Sequence, residues 1–421
     1  MFALGVSEVM TDFNTSNNYL SALVVSIYVL GFAFGPLFWA PLSEIYGRWI
    51  CYSVSNILYI IFTIACAVST NMSMLIVFRF LAGCFGSSAL AIGGGTVTDM
   101  FPVQHRGVAL SLYTLGPICG PAIGPVIGGF VSAAKGWRWI FWVLSILGGA
   151  VTFLQVFYMR ETSATIILRR KAKRLRKTSG NSAIISKIDA DKRASGSQIL
   201  LQGLVRPLKL MLLSPISFLL SIATAFIYGL LYLLLTTLPM VFEEGYGFGV
   251  GITGVTYVGL GIGNLIGLFV FSLTSDRYIR ARIAEGKMTP EDRLPYILVS
   301  CPLMAAGLFL YGWTAEARTL WIGPVIGLTL FGVGNTLFMN AVIGYLIDSF
   351  TQYAASALAA NTVLRSVGGA LLPLAGDSMY QSLRFGWGNS VLGFLALGFT
   401  PALIALYKYG ESIRLKYPLK L

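Results

Sequence analysis

The residues that could do chemistry in this chain are few, and most of them stand alone in apolar surroundings. Arg79 and Arg365 interrupt long apolar runs, as do the amides Asn264, Asn335, Asn340 and Asn361 and the phenols Tyr228 and Tyr232. Such groups can bind a ligand or join helices, but they do not form an acid–base set. The one histidine, His105, leaves no material for a histidine triad or a histidine metal site. The five cysteines (Cys51, Cys66, Cys84, Cys119 and Cys301) contain no CxxC pair and read as small buried apolar residues. No glycine-rich loop ending in GK[ST] is present. Enzymatic chemistry is therefore not expected, and neither a metal nor a cofactor.

A second set of charged residues lies at the ends of apolar runs. Glu44 and Arg48, with Gly47 between them, follow one run, and Asp99 ends another. Asp276, Arg280 and Asp348 stand in the same relation to two later runs. Residues so placed can form a charge cluster that closes one face of a bundle, with the second set as its counterpart.

The elements that must carry these residues follow from composition. Apolar residues make up 56% of the 421 residues and charged residues 11%, with a mean hydropathy of +0.76. A soluble domain carries about 25% charged residues, so this chain cannot coat a globular surface. Eleven stretches approach the roughly 20 apolar residues of a membrane span: 20–41, 50–70, 73–98, 107–132, 137–159, 212–238, 250–274, 295–314, 319–347, 353–378 and 387–408. Open strands cannot cross lipid, so an all-α integral membrane bundle is expected. It divides into an N-terminal half at 1–159, a polar linker at 160–211 and a C-terminal half at 212–421.

Of the 30 Lys and Arg, 24 fall in alternate connections on one side, and the net charge is +13. The positive-inside rule places that side, the linker and the C-terminus in the cytoplasm. The sequons at Asn14 and Asn71 then face outward. The run RRKAKRLRK (169–177) reads as a cytoplasmic helix on anionic lipid, since Leu168, Ala172 and Leu175 recur at helical spacing. No aromatic platform accompanies it, so nucleic acid is not an expected partner.

The halves echo one another. Gly31, Gly35, Glu44 and Arg48 share their spacings with Gly263, Gly267, Asp276 and Arg280, at an offset of 232 that also pairs Ser43 with Ser275. TDMF (98–101) similarly echoes IDSF (347–350), pairing Asp99 with Asp348. At that offset the span 212–238 has no full partner in the chain. The expectation is a 6 + 6 design whose first helix is missing, with MFALGVSEVM as its tail end; a natural eleven-span protein is the alternative.

Three segments carry a family resemblance. GPLFWAPLSEIYGR (35–48) resembles the loop G-x-L-x-D-R-x-G-R of the major facilitator superfamily through Leu42, Gly47 and Arg48, with Ala40, Glu44 and Ile45 as departures. Arg79 and Gly83 match R-x-x-Q-G, with Ala82 in place of Gln. Gly120, Gly124, Pro125, Gly128 and Gly129 match the antiporter signature G-x-x-x-G-P-x-x-G-G. With WRWIFW (137–142) and ILRRKAKRLRK (167–177), the chain resembles the fungal branch of the twelve-span drug:proton antiporters. The resemblance implies a major-facilitator-like bundle and proton-coupled efflux of small lipophilic or cationic compounds, such as drugs, toxins or secondary metabolites. It implies a small-molecule substrate, protons as coupling ion, a monomer, and the plasma membrane, with the vacuolar membrane as alternative. Import of polyamines or another nutrient is the competing transport reading, and a non-transporting membrane protein the remote one. On the transport reading the aromatics and amides named above line the cavity; helix–helix packing is the alternative for each. Arg79 either snorkels to the outer interface or enters the cavity. Pro117, Pro121 and Pro125 bend the span 107–132, the fourth of this chain and the fifth of the full design, and its small residues allow close approach.

Overall fold

The computed structural model describes residues 2–15, 17–101, 106–180, 186, 196–286, 289–350 and 354–416, and its regular elements there are all helical. A turn at Phe2–Gly5 leads into α1 (Val6–Asp12). The long helices that follow are α2 (Asn18–Tyr46), α3 (Arg48–Ala67), α4 (Met72–Gly86), α5 (Ser88–Met100), α6 (Arg106–Lys135) and α7 (Trp137–Tyr158). The 160–211 segment is not plain linker, since it carries α8 (Ala164–Ser179) and most of α9 (Gly196–Leu213). Then come α10 (Pro215–Pro239), α11 (Val250–Ala284), α12 (Pro295–Glu316), α13 (Ile322–Ser349), α14 (Ala354–Leu371) and α15 (Gly376–Lys416).

Ten helical segments among the described residues are long and apolar enough to cross a bilayer. The eleven expected from sequence reduce to ten because α14 and α15 run together, with the stretch before residue 387 helical as well. That run breaks at Arg384, where φ is 58° and ψ −177°, and each leg exceeds the roughly 20 residues a span needs. Glu316 holds the break: its Oε2 accepts from the backbone N–H of Phe385 at 2.9 Å and of Gly386 at 3.4 Å, capping the second leg. Other starts are capped from within the sequence, by Asn17 on Tyr19, Asn71 on Met74 and Ser214 on Ser217.

Packing separates into distinct cores. One large cluster joins residues of α10 through α15, around Leu220, Phe331 and Tyr345. A smaller one joins Phe2 and Val9 to Leu75, Trp137 and Phe141, and a third sits around Trp39, Cys51 and Ile92. The repeated glycines do the same work twice. Gly31 lies against the backbone of Cys84, so that α2 meets α4, and Gly267 lies against the carbonyl of Val333, so that α11 meets α13. The two sets of helices touch along two seams, α2 on α14 and α6 on α11, and α9 lies against α2 and α14.

Candidate functional site

The reversal between α2 and α3 uses a single residue, Gly47, at φ 104° and ψ 160°. That region is essentially restricted to glycine. A Cβ there would run into the carboxylate of Glu161, just beyond α7. Glu161 Oε1 accepts from the N–H groups of Arg48 at 2.8 Å, Thr162 at 3.1 Å and Ser163 at 3.0 Å, while Oε2 accepts from Trp49 at 3.3 Å. One carboxylate thus serves the open N–H groups at the starts of α3 and α8. It also fixes Arg48, whose Nε reaches Asp99 Oδ2 on α5 at 3.2 Å and whose Nη1 donates to Ser43 Oγ on α2. Three helices meet in this serine–arginine–aspartate cluster. Glu44 is exposed and makes no ion pair among the described residues.

The same cluster recurs at the same end of the later helices. Arg293, in the turn before α12, places Nε 2.9 Å from Asp348 Oδ2 on α13 and donates from Nη1 to Ser275 Oγ on α11 at 3.2 Å. The sequence offset pairs Arg48 with Arg280, but Arg280 is exposed on α11 with a partner of its own. The cause is the connection. Helix α11 runs on to Ala284 before the chain reverses, whereas α2 stops at Tyr46, so the arginine entering the next helix comes later. The greater offset between Asp99 and Asp348 carried that signal. The side chain of Asp276 lies outside the described residues. Two buried carboxylates brace the neighbourhood: Asp292 takes Arg282 Nε at 3.1 Å, and Glu291 takes Arg414 at 3.5 Å.

The glycine and proline stripe on α6 splits between two faces. A Cβ at Gly129 would stand 2.8 Å from the carbonyl oxygen of Val250, and one at Gly254 would run into the carbonyl of Pro125, so this end of the stripe forms the close α6–α11 seam. Gly128 is buried. Gly116 and Gly120 have open space before them and, with Gly124, line a cavity of about 540 Å³.

Arg79 borders that cavity and is only 7% exposed, so it does not snorkel. Its guanidinium carbon sits 4.1 Å from the centre of the Phe2 ring and 5.7 Å from those of Tyr28 and Phe141. Nη2 donates to the Val25 carbonyl at 3.4 Å, and Nε has no partner among the described residues. A central arginine costs about 2.5–3.5 kcal/mol on insertion scales, and each ring returns about 0.5–2 kcal/mol.

Two of the expected cavity amides, Asn264 and Asn335, join two helices, and a third, Asn340, bonds within its own helix. Asn335 Nδ2 and Thr336 Oγ1 both donate to Asn264 Oδ1, at 3.3 and 2.9 Å, tying α13 to α11, and Asn340 donates to the Thr336 carbonyl at 2.9 Å. The Oδ1 of Asn335 is itself buried with no partner among the described residues, and the same holds for atoms of Asn361 and Arg365, one turn apart on α14. The Oδ1 of Asn361 and the Nε of Arg365 are buried with no partner among the described residues. Arg365 lies 5.2 Å from the Tyr228 ring centre, and the Tyr228 and Tyr232 rings are 5.1 Å apart.

At the opposite end, sequence reasoning missed a second carboxylate anchor. Glu8 accepts from the Trp137 N–H at 2.8 Å, and Asp12 takes the Trp137 indole N–H at 2.9 Å and Arg138 Nη1 at 2.7 Å. The indole N–H first, then Arg138, holds the Asp12 carboxyl below the usual carboxylate range. No cluster of His, Cys, Asp and Glu able to hold a metal occurs among the described residues.

A family model described as Major Facilitator Superfamily matches residues 1–373. An MFS-type transporter, hepF of Aspergillus oryzae, is 56% identical over 422 residues, covering 100% of this chain and 86% of the relative. The efflux pump radE of Floropilus chiversii is 47% identical, covering 98% and 77% respectively. Among solved structures, the partially occluded inward-open xylose transporter XylE from E. coli superposes with a TM-score of 0.71 at 16% identity, over 97% of this chain and 94% of that one. At that identity the likeness concerns the fold alone.

Proposed function

The chain belongs to the major facilitator superfamily, and from that membership we propose that it is a proton-coupled exporter of small apolar organic compounds. It is a multi-pass membrane transporter and not an enzyme. Relatives that carry the names transporter and efflux pump support the direction of transport. The observation that carries the mechanism is the pair of serine–arginine–aspartate clusters at one end of the bundle.

In this reading residues 1–159 and 212–421 are two bodies that rock on the α2–α14 and α6–α11 seams, with 160–211 as their cytoplasmic tether. Substrate sites in such repeat folds lie near the midplane between the bodies. The two clusters sit at the basic end, which the positive-inside rule assigns to the cytoplasm. Their arginines and aspartates are 15–26% exposed, so each pair is neither fully solvated nor deeply dehydrated. They bias which face of the bundle is closed without dominating the stability of the fold. In this reading the protein acts as a monomer in the plasma membrane, with the vacuolar membrane as the alternative.

The test is efflux of the neutral dye Nile red from yeast cells stripped of their own pumps. Cells making the chain should lose dye faster than cells with an empty vector. A protonophore, or Asp99→Asn combined with Asp348→Asn, should return efflux to the empty-vector rate. Efflux no faster than the vector control sinks the exporter reading, and efflux that survives the protonophore sinks proton coupling.

A further inference from the structure

Two arginines stand inside spans of this bundle. Arg79 and Arg365 lie well inside spans, and neither has a carboxylate within ion-pair distance among the described residues. The carboxylates with described ion pairs, such as Asp99, Asp348, Glu291 and Glu316, sit at the ends of helices. A cation in a low-dielectric interior calls for a counter-charge. A ring lies beside each guanidinium, and the Nε of each is buried with no partner among the described residues, although Arg79 also donates from Nη2 to the Val25 carbonyl.

The two arginines differ in access. Arg79 is nearly sealed at 7% exposure, with Phe2 across its face. Arg365 is half-buried: its Nε is closed off without a partner while part of its side chain stays open. It stands on α14, which packs against both α10 and α2, where the two sets of helices meet. Gly369, one turn further, faces Tyr228 on α10 and Val29 on α2, so Arg365 belongs to that seam. Around it are two tyrosine rings and the unfilled acceptor of Asn361.

We propose that the exported compound is an organic anion, an apolar aromatic body bearing a carboxylate that Arg365 binds. A planar guanidinium offers parallel N–H donors that match the two oxygens of a carboxylate. Tyr228 and Tyr232 supply flat surface for an aromatic body and hydroxyls for its polar edge. The buried oxygen of Asn361 is an acceptor for a hydroxyl next to the acid. A lipophilic cation would instead bring a second positive charge to an uncompensated one, so the cationic class expected from family resemblance is disfavoured. This assignment rests on the exporter reading but is tested by binding, so that either can fail alone.

The full chain, purified in a non-ionic maltoside, is titrated against fluorescein and rhodamine 123 with fluorescence polarisation as readout. The two dyes share a three-ring xanthene body and carry opposite charge. Fluorescein should bind at least tenfold more tightly than rhodamine 123. Arg365→Gln should weaken fluorescein at least tenfold and abolish the preference, while Arg365→Lys, which keeps the charge and loses the fork, should fall between. Absence of fluorescein binding, equal or tighter binding of rhodamine 123, or an unchanged preference in Arg365→Gln overturns the proposal. The wild-type dye ratio decides it even if the glutamine variant fails to fold. Efflux of Nile red alongside a reversed dye ratio would leave the exporter reading standing and remove this one.

Discussion

Replacing Gly47 with alanine should destabilise the chain through two separable effects. The backbone at φ 104° and ψ 160° is open to glycine and strained for any other residue. Strain of this kind costs about 1–3 kcal/mol. The new Cβ would also push the Glu161 carboxylate off the start of α3, where it accepts from Arg48 at 2.8 Å and Trp49 at 3.3 Å. Hydrogen bonds to a charged group contribute about 1.5–3 kcal/mol each, and the half-buried setting of Glu161 argues for the lower end. The expected cost of Gly47→Ala is about 3–5 kcal/mol. Glu161→Ala alone loses the cap without the collision. In the double variant only the backbone strain is added to the lost cap, so it should cost about 2 kcal/mol less than the sum of the singles. Unfolding in mixed micelles with increasing SDS, followed by the fluorescence of the eight tryptophans, measures all three. A cost below about 1 kcal/mol for Gly47→Ala, or strict additivity in the double variant, would refute the claim that Gly47 and Glu161 act together to set Arg48.

Two further outcomes are expected. Arg293→Gln should reduce transport about as much as Asp348→Asn, and the pair together should cost little more than either alone, whereas Arg280→Gln should cost less; equal losses for Arg280 and Arg293 would restore the pairing read from sequence. The Asp12 carboxyl, held low by the Trp137 indole and Arg138, gives its support to the docking of α1 above the ordinary carboxylate pKa and loses it as pH falls through the lowered value. Trp137 emission should therefore change below about pH 4, and Asp12→Asn should remove that transition; a transition that persists in the variant refutes the assignment. The effect is small, because Asp12 and Arg138 are both over 40% exposed.

Much of this protein was legible in the order of its residues. Low charge and long apolar runs dictated spanning helices, because lipid leaves the backbone no other partner. The matched spacings of Gly31 and Gly35 with Gly263 and Gly267 announced two equivalent helix crossings, since a glycine row is a property of one helix face. Asp99 and Asp348 were found for the same local reason. What sequence could not fix was the partner of each group across the bundle. Arg293 was missed because a longer connection before α12 shifted the arginine relative to its aspartate. The reach of Glu161 to Arg48, of Glu8 to Trp137 and of Glu316 to Phe385 gave no sequence signal, because these N–H groups belong to helices tens of residues away in the chain. Asn264 and Asn335 read as cavity residues in sequence but bond to one another across two helices, while Asn361 Oδ1 and Arg365 Nε, like Asn335 Oδ1, have no partner among the described residues. Local spacing settles which face of a helix a residue occupies; only the packing of distant helices decides whether that face meets a partner, lipid or a ligand.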